Sequence, residues 1–201
     1  VNVPLDCDIN EAVKAVELVK ARKYLTGGRS TMIVLGKGEH RINSDLLVIR
    51  SAMNIVGDPG VPKSEIVVVG GIVFMDWIQG NCHLQHLTLR QAKGSGVYGE
   101  SSFTMDDVLV EQCDGYGVLA DGSGVVARCT NIEVRQCGWS GVSADSGASI
   151  TLIGAKTTVH HNCTDGYSDD YGLDVYKSSS STIQLVSPLT KEQVSLDNGG
   201  G

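Results

Sequence analysis

Short runs of alternating apolar and polar residues follow one another along most of the chain, with turns rich in Gly, Asp, Ser and Pro between them. Alternation with a period of two is typical of β-strands that bury one face. Turn sequences such as GDPG at 57–60 and VPKS at 61–64 separate the runs. The runs predict strands at 32–35, 46–49, 53–56, 66–69, 72–75, 84–89, 103–110, 125–134, 148–153 and 182–186.

A longer pattern is repeated in the second half of the chain. The copies are LTLRQAKGSGVYG at 87–99, VLVEQCDGYGVLA at 108–120, IEVRQCGWSGVSA at 132–144, and TVHHNC at 158–163 followed by YGLDV at 171–175. All copies share one glycine, with steps of 21, 24 and 31 residues between Gly96, Gly117, Gly141 and Gly172. A period in the low twenties, rich in glycine and β-branched residues, indicates a β-solenoid with one copy per coil.

Alignment of the copies on this glycine sorts the residues into columns. Two apolar columns lie two residues apart and predict the core, namely Leu87, Val108 and Ile132, and Leu89, Val110 and Val134. The next columns are charged (Arg90, Glu111, Arg135 and His161), amide (Gln91, Gln112, Gln136 and Asn162) and small (Ala92, Cys113, Cys137 and Cys163). Amides stacked about 4.8 Å apart can hydrogen-bond along the stack.

Only residues 10–22 show a convincing helical period, and they predict an amphipathic helix that caps the first coil. The 201 residues are predicted to form one domain over 1–201, with this helix, coils over about 32–190 and a polar tail over 191–201. An open strand edge at the C-terminal coil would favour an oligomer through that edge.

Charge and hydropathy exclude several classes of partner. The net charge of −7 argues against a nucleic-acid partner, which needs clustered Lys and Arg. The chain lacks a run of about 18 apolar residues, so no membrane-spanning helix is predicted. Neither nucleic acid nor a membrane is therefore expected as a partner.

The six cysteines bear on location. Cys113, Cys137 and Cys163 fill the small column, which predicts free buried thiols and favours an intracellular protein. Stacked coils bring such residues within disulfide range, so oxidation stays open, and the sequon Asn162-Cys163-Thr164 would instead suit secretion. The chain lacks an initial Met and a signal-peptide pattern, which would fit either a trimmed N-terminus or a processed product, and in both cases a signal peptide would be missing.

These columns resemble the right-handed parallel β-helix of the pectin-lyase-like superfamily over residues 10 to about 190. The helix followed by MIVLGKGEHRI at 32–42 is similar to the cap and first coil of that group. The resemblance implies an all-β, right-handed parallel β-helix of about six to seven coils with an N-terminal capping α-helix. It implies little about activity, because the superfamily includes lyases, hydrolases, epimerases and proteins without a known reaction.

Catalytic motifs of the superfamily are incomplete in this chain. The acid pairs Asp106-Asp107 and Asp169-Asp170 are present, but the Asn-Thr-Asp, His-Gly and Arg-Ile-Lys motifs of polygalacturonases are missing. Tyr171-Gly172-Leu173-Asp174 resembles the start of the mannuronan epimerase motif, whose Pro, His and acid are replaced by Val175-Tyr176-Lys177.

Two groups of polar residues are candidates for catalysis. Glu100, Asp121 and Asp145 share a column, and carboxylates about 5 Å apart in successive coils would raise one another's pKa or recruit a cation. Alternatively, each marks a turn. His160 falls in an apolar column, so either it is buried and hydrogen-bonded or a bulge turns Val159 inward and His160 outward. His160 and His161 could then serve acid–base chemistry.

Aromatic residues are the candidates for ligand binding. Tyr116, Trp139 and Tyr171 fall at nearly one position, just before the shared glycine, and their rings would suit stacking on sugars or would close the edge of the core. Tyr167, Asp169 and Asp170 lie in the acidic insertion TDGYSDD at 164–170. This loop is the best place for a ligand or Ca²⁺, although no dedicated metal site is predicted.

A complete structural repeat without a complete catalytic set favours a non-catalytic module that binds carbohydrate or another extended partner. The alternatives are a lyase or epimerase acting on an acidic polysaccharide, with acids from Asp121, Asp145, Asp169 or Asp170 and His160 or His161, and a structural scaffold for protein partners.

Overall fold

The computed structural model describes residues 2–3, 9–14, 31–176 and 180–199 and shows an all-β parallel β-solenoid of about five turns. Partial coils extend both ends. The two α-helices are α1 (residues 9–14) and α2 (Lys191–Val194), and a 3₁₀ helix covers Lys63–Glu65. Within these residues, no helix is long and apolar enough to cross a membrane. The strands are β1 (Asn2–Val3), β2 (Thr31–Leu35), β3 (Gly38–Ile49), β4 (Met53–Gly57), β5 (Ile66–Phe74), β6 (Cys82–Arg90), β7 (Val97–Gly99), β8 (Phe103–Glu111), β9 (Val118–Asp121), β10 (Val126–Thr130), β11 (Glu133–Arg135), β12 (Val142–Asp145), β13 (Ser149–Ile153), β14 (Thr158–His160), β15 (Leu173–Val175), β16 (Thr182–Leu185) and β17 (Ser195–Leu196).

The strands stack in parallel on three faces. The first face contains β2, β4, the N-terminal halves of β6 and β8, and then β10, β13 and β16. The second face contains the N-terminal halves of β3 and β5, the C-terminal halves of β6 and β8, and then β11, β14 and β17. The third face contains the C-terminal halves of β3 and β5, and then β7, β9, β12 and β15.

The predicted core columns are confirmed. Leu87 pairs in register with Val108, and Leu89, Val110, Val134 and Val159 stack on one another along the second face. All of these side chains are fully buried. A strand with one buried side chain in two, repeated at the same register in each coil, produces a continuous apolar interior.

The glycine shared by the copies is explained by a close approach between coils. A Cβ added at Gly117 would lie 2.2 Å from Cγ1 of Val134 and 2.6 Å from the carbonyl oxygen of Gly141. Gly96 and Gly141 are similarly enclosed. The bend into the third face therefore packs backbone directly on backbone, and only glycine fits there.

Both ends of the solenoid are partly covered. Ile9, Ala12 and Val13 of α1 are buried in the same cluster as Ile33 and Leu35, which confirms a short N-terminal helix; the predicted continuation over 15–22 lies outside the described residues. At the other end, α2 and β17 occupy part of the predicted tail, and β17 pairs with β14. Val194 of α2 is fully buried.

The last copy is shifted by one residue from its predicted alignment. His160, and not His161, stacks on Arg135, and Val159 takes the buried position, as in the bulge alternative. Asn162 therefore falls in the small column beyond Cys137, and Cys163, with φ of +62°, is the extra residue. The prediction that Cys163 stacks on Cys137 is wrong. The five described cysteines are buried and form no disulfide.

Candidate functional site

The outer surface of the third face carries an aromatic–acidic cluster near its C-terminal end. We use this name for Tyr116, Trp139, Asp145, Asp170, Asp174 and Tyr176. Asp145 ends β12 and Asp174 lies within β15, while the other members belong to the turns that lead into or out of the strands of this face. Parallel stacking brings them together from three successive coils.

A pair of rings, one half-buried and one exposed, occupies one side of the cluster. The ring centroids of Tyr116 and Trp139 are 5.0 Å apart, and the planes meet at 83° in an edge-to-face contact. Trp139 is 41% exposed, and Tyr176 is 58% exposed. The edge-to-face contact holds the two rings against each other, and the exposed part of Trp139 is available for contact with an apolar ring surface.

The carboxylates of the cluster are held by serine hydroxyls. Ser140 Oγ donates to Asp170 Oδ1 (3.2 Å) and accepts a hydrogen bond from the backbone N–H of Tyr171 (3.0 Å). Ser143 Oγ donates to Asp174 Oδ2 (3.4 Å). Both serines are buried, so they fix the carboxylates from beneath.

Burial and mutual repulsion act on these carboxylates. Burial raises the pKa of Asp170 above its ordinary value, with the negative charges of Asp165 and Asp169 adding to the shift. Burial also raises the pKa of Asp174, and Asp170 and Asp145 contribute. The pKa of Tyr116 is raised by burial and then by Asp170, Asp174 and Asp145, which places its ring within the field of all three. No ion pair of the described residues neutralises this charge.

We expect Asp174→Asn to stabilise the protein at neutral pH. Because the pKa of Asp174 is raised in the folded state, the folded protein holds this proton more tightly than the unfolded chain does. The contribution of Asp174 to folding stability therefore falls as the pH rises through that pKa. Thermal unfolding should show a gain in Tm of about 2 °C at pH 7.5 that shrinks towards pH 4. The gain is small because solvent partly screens the charge of this half-exposed group. The exposed Asp169→Asn is the control, and equal gains in both variants would contradict the expectation.

The predicted carboxylate column is only partly a cluster. Asp121 stacks on Asp145, and the hydroxyl of Tyr98 lies 2.9 Å from Asp121 Oδ2 and 3.1 Å from Glu100 Oε1. Burial, together with these two carboxylates, raises the pKa of Tyr98 far above its ordinary value. The phenol thus bridges Glu100 and Asp121. Asp145 accepts a hydrogen bond from the backbone N–H of Ser146, as expected for a turn, and also faces Asp174 and Tyr116.

The two predicted histidines lie on the second face, apart from the cluster. Nδ1 of His160 lies 2.7 Å from Nδ1 of His161, and Nε2 of His160 lies 3.3 Å from Glu133 Oε1. Glu133 in turn pairs with Arg135, which also binds Glu111. In the described part of the chain, no hydrogen bond joins either histidine to the candidate carboxylates Asp121, Asp145, Asp169 or Asp170.

The insertion contributes exposed groups. Tyr167 is 62% exposed, and Asp169 accepts a hydrogen bond from Ser168 Oγ (3.5 Å). Tyr171 is half-buried just before β15. Within the described residues, no three His, Cys, Asp or Glu side chains converge as metal ligands, in this loop or elsewhere.

Three members or supports of the cluster, Ser140, Ser143 and Tyr176, were not expected from the sequence, and Asp174 was expected only as part of a motif. A signal existed for one pair. Ser143 and Asp174 occupy the position two residues after the shared glycine, where Tyr98 and Leu119 stand in other copies, so a polar pair among apolar residues was visible.

Comparison with family models, with curated proteins and with solved structures finds no match to this chain. The function is therefore inferred from the geometry of the third face.

Proposed function

We propose that this protein is a non-catalytic carbohydrate-binding module whose aromatic–acidic cluster binds a glycan on the third face. The coil steps of 21 and 24 residues support a right-handed solenoid of the pectin-lyase-like type. The observation that carries this proposal is the edge-to-face contact between half-buried Tyr116 and exposed Trp139 beside three carboxylates. Sugar rings present apolar C–H faces that stack on indole, and their hydroxyls donate to carboxylates.

The charge of the cluster bears on the kind of glycan. Asp145, Asp170 and Asp174 would repel the carboxylates of a polyuronate, since no ion pair of the described residues offsets them. Neutral or amine-bearing sugars fit this surface better. The negative charge also supports hydrogen bonding to hydroxyls, because ionised acceptors make stronger bonds than neutral ones.

Trp139→Ala should weaken glycan binding by about tenfold or more, since central aromatic anchors dominate the binding energy of such interfaces. The probes are neutral gluco-, manno- and xylo-oligosaccharides, a glucosamine oligomer and a polyuronate oligomer, with affinity measured by calorimetry. Trp77→Ala is the matched control, because Trp77 is 55% exposed in the loop that follows β5, away from the cluster.

Unchanged affinity of Trp139→Ala for every glycan that the wild type binds would reject the cluster as the binding site. Absence of binding by the wild type to all five probes would reject the carbohydrate-binding function and favour a scaffold for protein partners.

A second candidate, a polysaccharide-active enzyme, is favoured by one observation. The pKa values of Asp170 and Asp174 are both raised, and the charge of Asp170 contributes to the shift of Asp174. A carboxyl that keeps its proton to higher pH is suited to general-acid catalysis. This function predicts release of new reducing ends, abolished by Asp170→Asn. Binding without any product would support the module.

A further inference from the structure

Three charged side chains from three successive coils meet at the corner between the first and second faces. Lys63 lies on the 3₁₀ helix, His86 on β6 and Asp107 on β8. His86 and Asp107 both have positive φ, +53° and +52°, and stand at the same place in their coils. His and Asp adopt this conformation more readily than most residues, and the corner needs it for a sharp bend.

The contacts of His86 define its protonation state. Its Nδ1 lies 2.7 Å from Asp107 Oδ2, and its Nε2 lies 2.8 Å from the carbonyl oxygen of Val61. Both partners are acceptors when Asp107 is ionised, and Lys63 Nζ, 2.7 Å from Asp107 Oδ1, keeps it so. Only an imidazolium donates from both ring nitrogens.

We propose that His86 is a pH-operated latch that fastens the loop over residues 58–65 to the neighbouring coils when its ring is protonated. On deprotonation one ring nitrogen loses its hydrogen, so the ring can no longer donate to Val61 and Asp107 together. The loop then keeps contacts that do not involve His86. These are the bond from Thr88 Oγ1 to the carbonyl of Lys63 (3.0 Å), the pairing of Lys63 with Asp107, the ion pair of Lys37 with Glu65, and the bond from the N–H of Asp58 to the carbonyl of Leu35 (2.8 Å).

The direction of the response follows from the charged groups around His86. Burial alone would lower the pKa of His86, but the hydrogen bonds to Asp107 and Val61 raise it above its ordinary value of 6.5. Asp107 on β8 and Lys63 on the 3₁₀ helix are the charged groups that act on the ring among the described residues. The hydrogen bonds from Lys63 and His86 hold the pKa of Asp107 below 3.8, against the effect of burial.

The latch therefore has a defined pH window. Because the folded-state pKa of His86 is raised, its contribution is complete below pH 6.5 and is lost as pH rises through the folded value. Because the pKa of Asp107 is lowered, its contribution is present above pH 3.8 and is lost only as pH falls below that. The loop is fastened in mildly acidic solution and released in alkaline solution.

Hydrogen exchange of the loop amides tests the latch. The N–H groups of Gly60, Val61 and Glu65 are bonded inside the loop, to Asp58 and Pro62, and report its opening. After correction for intrinsic rates, we expect about tenfold faster exchange of these amides at pH 8.5 than at pH 5.5 in the wild type. His86→Gln should exchange at the fast rate at both pH values.

The controls separate the latch from general effects of pH. His83→Gln removes a neighbouring half-buried histidine that contacts Thr104 and not the loop, so it should keep the wild-type response. Asp107→Asn should move the midpoint to lower pH, and this variant keeps the test decisive if His86→Gln does not fold. Wild-type protection that does not change with pH, or a pH response that survives in His86→Gln, would overturn the proposal.

Discussion

Gly117→Ala is expected to destabilise the protein strongly, although it adds only one methyl group. The new Cβ would lie 2.2 Å from Cγ1 of Val134 and 2.6 Å from the carbonyl oxygen of Gly141, and the second of these is backbone in the next coil. Relief requires the coils to separate, which also disturbs the bond from the N–H of Val118 to the carbonyl of Gly141 (2.9 Å). We expect a loss of about 3 kcal/mol in the free energy of unfolding, the upper part of the range for overpacked cores.

Chemical denaturation of Gly117→Ala beside Gly94→Ala measures this effect. Gly94 lies in the corresponding turn of the preceding copy, and a Cβ there would meet no atom within 4 Å. The control should remain within about 0.5 kcal/mol of the wild type, as surface substitutions usually do. Equal losses in the two variants would show that the coils do not approach each other at Gly117 as described.

Asn162→Ala should have the second largest effect, because Asn162 is 1% exposed and links three coils. The backbone N–H of Cys137 donates to its Oδ1 (3.1 Å), and its Nδ2 donates to the carbonyl of Val134 (3.1 Å). Asn198 repeats this arrangement one coil later, where its Oδ1 accepts from the N–H of Asn162 (3.0 Å) and its Nδ2 donates to Val159 (3.0 Å).

Removal of the Asn162 amide leaves a buried N–H and a buried carbonyl without their partner, and each such group costs about 1–3 kcal/mol. We expect a loss of about 3 kcal/mol in denaturation experiments, with faster exchange of the Cys137 amide. Gln136→Asn is the control, since Gln136 is an exposed amide in the neighbouring column whose bond from Gln112 Nε2 (3.5 Å) lies at the surface. A loss below about 1 kcal/mol for Asn162→Ala would contradict the structural role of this stack.

The regular part of the repeat explains why the fold could be predicted. From Leu87 to Ala144 the three copies have the same number of residues between the core positions and the shared glycine. Residues aligned in the sequence therefore stack on one another in the structure. Burial on one side of each strand then determines the register, because a slip by one residue would expose the apolar column.

The last copy could not be placed in the same way. Its cysteine suggested an alignment that differs by one residue from the observed register. The buried Asn162 occupies a column that otherwise holds Ala92, Cys113 and Cys137, and its partner Asn198 lies 36 residues further on. Burial of an amide is favourable only when that partner is present, and nothing in the single copy indicates it.

The candidate site was harder to predict than the last copy, because its contacts arise only from the tertiary structure. The aromatic candidates Tyr116 and Trp139 were visible in the sequence, but their edge-to-face contact and the approach of Asp174 depend on how a 31-residue step closes onto the third face. Of the buried serines that hold the carboxylates, Ser143 stands where other copies have Tyr98 and Leu119, whereas Ser140 stands where the first copy also has a serine. These serines indicate a site only once the arrangement of the face is known.

The chain contains two tryptophans, so the indole N–H signals in a ¹⁵N NMR spectrum test the central claim directly. We would titrate the protein with the oligosaccharide that binds best and follow both signals. Binding at the aromatic–acidic cluster predicts a saturable shift of the Trp139 indole signal with the Trp77 signal unmoved. A saturable shift of Trp77 alone, or bound oligosaccharide with neither indole signal perturbed, would contradict the account.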